Sequence, residues 1–223
     1  MDVTPRRVAL VDDSTLFRGG LAMLLGSVGV EVVLETPPGD GVPAALTTAS
    51  PDVVILDIRM PPTFTDEGIA LAREVRRVRP ATGILLLSTF GDPAYAADLL
   101  TIGSTGTGYL IKDRVTDVGA LRDAIERIMA GECVIDPDIV AQLLLRSRAA
   151  GLLERLTARE LEVLKLVAEG RSNRAVAGKL HMSIKTVEAY IASIFTKLDL
   201  APAEEDNRRV LAVLTWMRAT PGH

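Results

Sequence analysis

Apolar residues in the first half of the chain come in short runs rich in valine, isoleucine and leucine: Val8–Val11, Val30–Leu34, Val53–Leu56, Ile84–Leu87 and Thr107–Ile111. Between them the apolar positions take helical spacing, so the pattern reads as β/α alternation. Runs apolar at nearly every position belong to strands covered on both faces, which predicts a five-stranded parallel sheet with helices on each side. After the first run, Leu16, Phe17, Leu21, Leu24, Leu25 and Val28 form one predicted apolar stripe.

The pattern changes after Ala130-Gly131, where glycine ends the last helix of this half. Asp136-Pro137 opens a helix with Ile139, Val140, Leu143 and Leu144 on one face, and Arg146 to Gly151 break its pattern. Residues 132–154 therefore read as a helical linker. Thr157-Ala-Arg-Glu160 is a capping box, and Leu161, Leu164, Val167 and Ala168 continue a helix from it to Gly170. Ser172 caps a second helix, Asn173 to Leu180; Ser183 caps a third after a short turn, giving a helix-turn-helix pattern. In the third helix Val187, Ile191, Ile194, Phe195 and Leu198 form the inward stripe, while Lys185, Glu188, Ala189 and Ala192 face away. A fourth helix, Asn207 to Arg218, aligns Val210, Val213, Leu214 and Met217 on one face.

At 223 residues the chain accommodates two domains, each with its own core. A 48% apolar and 24% charged composition is that of a packed globular protein. No apolar run approaches the ~18 residues of a membrane span, and Arg6-Arg7 does not read as the start of a signal peptide. The lone Cys133 makes no internal disulfide, which fits a reducing cytoplasm. Charge is uneven. Residues 1–131 carry −5 and the remainder +1, while residues 155–200 alone carry +3, a mild excess compatible with a polyanion.

The strand ends carry the chemistry, because in open parallel sheets ligands bind beyond the carboxyl ends of the strands. The first predicted strand ends in Asp12-Asp13, the third in Asp57, the fourth in Ser88-Thr89 and the fifth in Lys112. Any one of these alone reads as a helix cap. Together, converging carboxylates repel unless a cation lies among them, and an all-oxygen donor set suits Mg²⁺. Lys112 and Ser88 then suit a group with several anionic oxygens, a phosphoryl, and Asp57 on the central strand is best placed to attack phosphorus.

Val11-Asp12-Asp13-Ser14, Asp57-Ile-Arg-Met60-Pro61, Leu87-Ser88-Thr89 and Tyr109-Leu-Ile-Lys112-Asp113 resemble the blocks of two-component receiver domains. The resemblance implies a flavodoxin-like, doubly wound domain over residues 1–131 with Asp57 as phospho-acceptor. It implies Mg²⁺ held by Asp13, Asp57 and the backbone carbonyl of Arg59, with Asp12 acting largely through water. Lys112 and Ser88 would contact the phosphoryl, and Ser88 with Tyr109 would form the switch pair. Two features depart from the family pattern. Pro62 to Glu67 lengthen the loop before Gly68, and the run Gly103 to Gly108 is unusually glycine-rich.

Leu156 to Leu164, Glu169 to Asn173, Ser183 to Val187 and Ile194 to Leu198 resemble the LuxR-type helix-turn-helix, an all-α four-helix domain, over residues 155–223. Joined to a receiver, the chain resembles the NarL/FixJ class of response regulators. That implies a sensor histidine kinase and double-stranded DNA as partners, and a homodimer through the fourth helix on phosphorylation. The candidate DNA contacts are Lys179, Ser183, Lys185, Thr186, Glu188, Ala189, Ala192 and Lys197, although Glu188, Ala189 and Ala192 stand where some members place lysines. No conventional enzyme is implied beyond self-phosphorylation and slow self-dephosphorylation. A metabolite phosphatase would need an acidic residue two positions after the nucleophile, where this chain has Arg59. The helical pattern by itself also permits a protein-binding module.

Overall fold

A computed structural model describes residues 6–202 and 205–220. The chain divides into two compact units, Met1–Val140 and Ala141–His223.

The first unit is a parallel sheet. Its strands β1 (Arg6–Val11), β2 (Val30–Thr36), β3 (Val53–Asp57), β4 (Gly83–Ser88), β5 (Thr107–Ile111) and β6 (Cys133–Ile135) lie in the order β2-β1-β3-β4-β5-β6. The continuous apolar runs have the predicted consequence, with every residue of β3 and β4 buried. On one face Val8, Leu10, Val53, Ile55, Leu85 and Leu87 pack against Leu21 and Leu25 of α1 (Thr15–Ser27) and Leu121, Ile125 and Ile128 of α5 (Val118–Met129). The other face meets α3 (Glu67–Val78) and α4 (Pro93–Ile102), while α2 (Val42–Ala49) packs beside β2.

The sheet has six strands, not five. Cys133–Ile135 pairs with Thr107–Tyr109 inside the stretch expected to be a linker. Three residues carry too little periodicity to read as a strand, but Val134 packs into the core and the Asp136 amide donates to the Tyr109 carbonyl at 2.9 Å. The following helix α6 (Pro137–Leu153) also runs through the expected break at Arg146 to Gly151. Arginine and alanine dominate that stretch and favour a helix, and Ala149 within it is buried, so the single Gly151 does not end it.

Two residues of the predicted α1 stripe point outward, Leu16 at 89% exposure and Leu24 at 40%. The helix has more leucine than its inner face can take. Gly108 in the glycine-rich run has a packing reason, since an added Cβ would lie 2.6 Å from Ile128 Cδ1 and 3.0 Å from Leu85 Cδ1.

The second unit contains α7 (Ala158–Ala168), α8 (Asn173–Leu180), α9 (Ile184–Lys197) and α10 (Arg208–Ala219). The capping box at Thr157 and Glu160 is formed, and Ser172 and Ser183 cap α8 and α9 through the amides of Ala175 and Thr186. His181 turns the chain between α8 and α9 at φ 54°. Val163, Leu164, Val167, Val176, Val187 and Ile194 lie in the core. The predicted apolar face of α10 is split: Ala212 is buried with Val213 and Trp216 against it, whereas Val210, Leu214 and Met217 are exposed.

Candidate functional site: a carboxylate cluster and an exposed helix-turn-helix

The parallel register brings the polar strand ends together. Val11 pairs with Leu56 and Asp57 with Leu87, so the residues that follow Val11 and Leu87 meet Asp57 at one edge of the sheet. One carboxylate oxygen each from Asp12, Asp13 and Asp57 lies within 4.8 Å of the others. Asp12 and Asp57 are buried and Asp13 is exposed, so the cluster opens to solvent on one side. Lys112 Nζ bridges the buried pair, 2.7 Å from Asp12 Oδ2 and 3.0 Å from Asp57 Oδ2. Its ammonium also stands 4.4 Å from the centre of the Phe17 ring, a cation–π contact that sequence reading did not single out.

Each of the two buried carboxylates is oriented by a backbone amide. Ile58 N donates to Asp57 Oδ1 and Ser14 N to Asp12 Oδ1, both at 2.8 Å. Burial raises the Asp57 pKa above the ordinary carboxylate value, Lys112 opposes that shift, and the neighbouring Asp12 adds to it. Gly68, at the start of α3, is required here. A Cβ would fall 2.0 Å from the Asp57 carbonyl oxygen, and the Gly68 amide bonds the Ile58 carbonyl at 2.9 Å.

Ser88 Oγ donates to the Phe90 carbonyl at 2.5 Å. Tyr109 is fully buried, its hydroxyl within 3.2 Å of the carbonyls of both Phe90 and Asp92. Its strand is internal to the sheet, because β6 covers β5. The expected pair thus converges on one segment, residues 90–92.

The long loop after Asp57 is wound around a single carboxylate. Glu67 accepts from the amides of Thr63 at 2.9 Å, Thr65 at 3.0 Å and Met60 at 3.4 Å, and from the Thr63 hydroxyl. Burial would raise its pKa, but the hydrogen bonds from Thr63 and Thr65 prevail and hold it at about 2. The peptide between Pro61 and Pro62 is cis. The Arg59 guanidinium lies 5.5 Å from the Phe90 ring centre and 5.7 Å from that of Tyr95. Sequence reading missed Glu67 and Tyr95; the threonines spaced before an acidic residue at Thr63-Phe-Thr-Asp-Glu67 were the available signal.

In the second unit Lys179, Ser183, Lys185, Thr186, Glu188, Ala189 and Ala192 are all exposed. Lys179 Nζ stands 3.8 Å from Glu169 Oε2. Lys197, expected among the flanking cations, is paired within the unit, its ammonium 2.7 Å from Oε2 of the buried Glu160. Glu160 also accepts from Thr157 N, Thr157 Oγ and Ser193 Oγ at 2.7–2.8 Å. Burial opposes its ionisation, and these donors with Lys197 outweigh it, bringing the pKa to about 2. Among the described residues no helix is long and apolar enough to cross a membrane.

Comparison with known proteins agrees with this architecture. The response regulator receiver domain matches residues 8–126, and the luxR family of bacterial regulatory proteins matches residues 154–206. The oxygen regulatory protein NreC of Staphylococcus epidermidis is 31% identical over 210 residues, covering 89% of this chain and 94% of NreC. The response regulator protein VraR of Staphylococcus aureus is 29% identical over 196 residues, covering 87% and 90%. A structure of the Salmonella typhimurium RcsB response regulator superposes with a TM-score of 0.60 at 27% identity, covering 98% of this chain and all of that one. With its receiver-type sheet and LuxR-type helices in this order, the chain belongs to the response regulators of the NarL/FixJ class.

Proposed function

We propose that this protein is phosphorylated on Asp57 by a sensor histidine kinase, with Mg²⁺, and thereby controls its own binding to double-stranded DNA and transcription. The observation that carries the proposal is the convergence of Asp12, Asp13 and Asp57 with Lys112 in a chain whose other unit presents a helix-turn-helix. Three carboxylates facing one ammonium leave a local negative excess, and the donors are all oxygen, so the residues fit a hard divalent cation. Asp13, Asp57 and the Arg59 carbonyl would hold Mg²⁺, with Asp12 reaching it through water. When bound, the ion supplies positive charge to the oxygens of the transferring phosphoryl.

The chain's own residues do the rest. The Ile58 amide fixes Asp57 Oδ1, leaving the carboxylate oriented for attack, and Lys112 stays beside the acceptor to neutralise phosphoryl oxygens. Ser88 would exchange its bond to the Phe90 carbonyl for one to the phosphoryl, and that change would reach Tyr109 through residues 90–92. The same groups favour hydrolysis of the aspartyl phosphate, so self-dephosphorylation is slow turnover at the receiver rather than metabolic catalysis.

The exposed face of α9, with Lys185, Thr186, Glu188, Ala189 and Ala192, would enter the major groove, with Lys179 and Ser183 at its phosphate-facing margin. Val210, Leu214 and Met217 on α10 offer an apolar face to a second copy. A solved relative, RcsB from Salmonella enterica, is described as bound to the promoter rprA in the presence of the phosphomimetic BeF₃⁻, at 27% identity and a TM-score of 0.51. The test is a DNA titration of the full-length protein at one salt concentration. With beryllium fluoride and Mg²⁺ the affinity rises about ten- to a hundredfold, the range of ordinary allosteric coupling. Equal affinity in both states would leave a constitutive binder.

A further inference from the structure

We infer that Tyr95 is a positioning residue for the Mg²⁺ site, holding the Arg59 peptide and the lengthened acceptor loop in ligand geometry; the inference rests on the metal-site reading above. Mg²⁺ demands near-ideal octahedral geometry, and a ligand drawn from a backbone carbonyl is only as well placed as the loop that carries it. Here that loop runs Pro61 to Asp66 and is exposed along its length. Glu67 winds it from inside, but all of its bonds lie between Met60 and Glu67 and tie the loop only to itself.

Tyr95 supplies the external anchor. It projects from α4, an element separate from the loop, and holds the loop on both flanks. Its hydroxyl donates to the Thr65 carbonyl at 2.8 Å and accepts from Arg59 Nε at 3.3 Å. Its ring and that of Phe90 both stand against the Arg59 guanidinium. Arg59 is therefore fixed by its side chain to α4 and by its neighbour Ile58 to Gly68. Its carbonyl belongs to the next peptide, whose Met60 amide donates to Glu67 Oε2 at 3.4 Å, so Tyr95 holds the Arg59 end of that peptide and Glu67 the Met60 end. The added loop length, which by itself would loosen the site, is compensated by this one aromatic hydroxyl.

The test is calorimetric titration of the full-length protein with Mg²⁺ and, separately, with Ca²⁺, in the absence of any phosphodonor. Ca²⁺ tolerates irregular geometry, so a positioning role predicts unequal losses. Tyr95→Phe keeps the ring and removes both hydroxyl bonds; it should weaken Mg²⁺ about three- to tenfold and Ca²⁺ less than twofold. Tyr95→Ala should weaken Mg²⁺ further and lower the Mg²⁺-to-Ca²⁺ preference again. Asp13→Asn serves as the reference for loss of the site. If wild-type Mg²⁺ binding survives Asp13→Asn unchanged, the metal site is misplaced and the inference falls with it. If Asp13→Asn abolishes binding but Tyr95→Phe leaves Mg²⁺ affinity intact, or weakens both ions equally, the site stands and the role of Tyr95 is refuted.

Discussion

A Lys112→Ala variant is expected to phosphorylate about two to three orders of magnitude more slowly from a small phosphodonor, the usual cost of removing one preorganised charge donor from a reacting anion. Lys112 Nζ lies 3.0 Å from the acceptor carboxylate and 2.7 Å from Asp12, with its side chain only 13% exposed, so solvent screens it poorly. Its loss leaves an anionic nucleophile facing an anionic donor across the carboxylates of Asp12 and Asp13. The same substitution removes a cation that repels Mg²⁺, so metal affinity should be unchanged or higher while the rate collapses. Time courses by intact mass, paired with Mg²⁺ titration, read both quantities. A parallel loss of metal affinity would mean that Lys112 holds the site together rather than stabilising the phosphoryl.

Glu160→Ala is expected to destabilise the C-terminal unit by about 3 kcal/mol, the low end for breaking a buried ion pair. The low end applies because Lys197, 33% exposed, can turn to solvent once its partner is gone, whereas Glu160 itself is only 4% exposed. The substitution also removes the reciprocal half of the α7 cap and the Ser193 contact that ties α7 to α9. A folded pKa of about 2 against an ordinary 4.5 gives the linkage its sign. The stabilisation is complete above pH 4.5 and is lost as pH falls through 2. The protein's single tryptophan, Trp216, packs against this unit's core, so its fluorescence during urea unfolding reports this unit. Wild type should lose more stability across that acid window than Glu160→Ala does, the variant keeping only the smaller contribution of carboxylates such as Glu169, whose pKa Arg171 lowers. Equal midpoints at neutral pH would show that the Glu160–Lys197 pair is dispensable.

What could be read from the sequence follows from how each signal is encoded. β3 and β4 are apolar at nearly every position and each ends in a polar residue, so both their burial and their reactive end are written locally. Helix caps are equally local, and Thr157, Ser172 and Ser183 all act where their spacing placed them. The misses depend on partners distant in sequence. β6 is defined by pairing with β5, not by its own three residues. Leu16 is indistinguishable from Leu21 by type, and only the packing of α1 on the sheet separates them. The pairing of Lys197 with Glu160, 37 residues earlier, is made only by the fold. Tyr95 meets Thr65 across 30 residues, so no spacing rule would have linked them.

Asp57 should receive a phosphoryl in a Mg²⁺-dependent reaction, which intact-mass analysis with peptide mapping reads at the residue itself. Wild-type protein with Mg²⁺ and a small phosphodonor should gain one phosphoryl, located at Asp57, and Asp57→Ala under the same conditions should gain none. Chelation of the metal should leave wild type unlabelled. Full labelling of Asp57→Ala, or labelling that persists in chelator, would contradict the account.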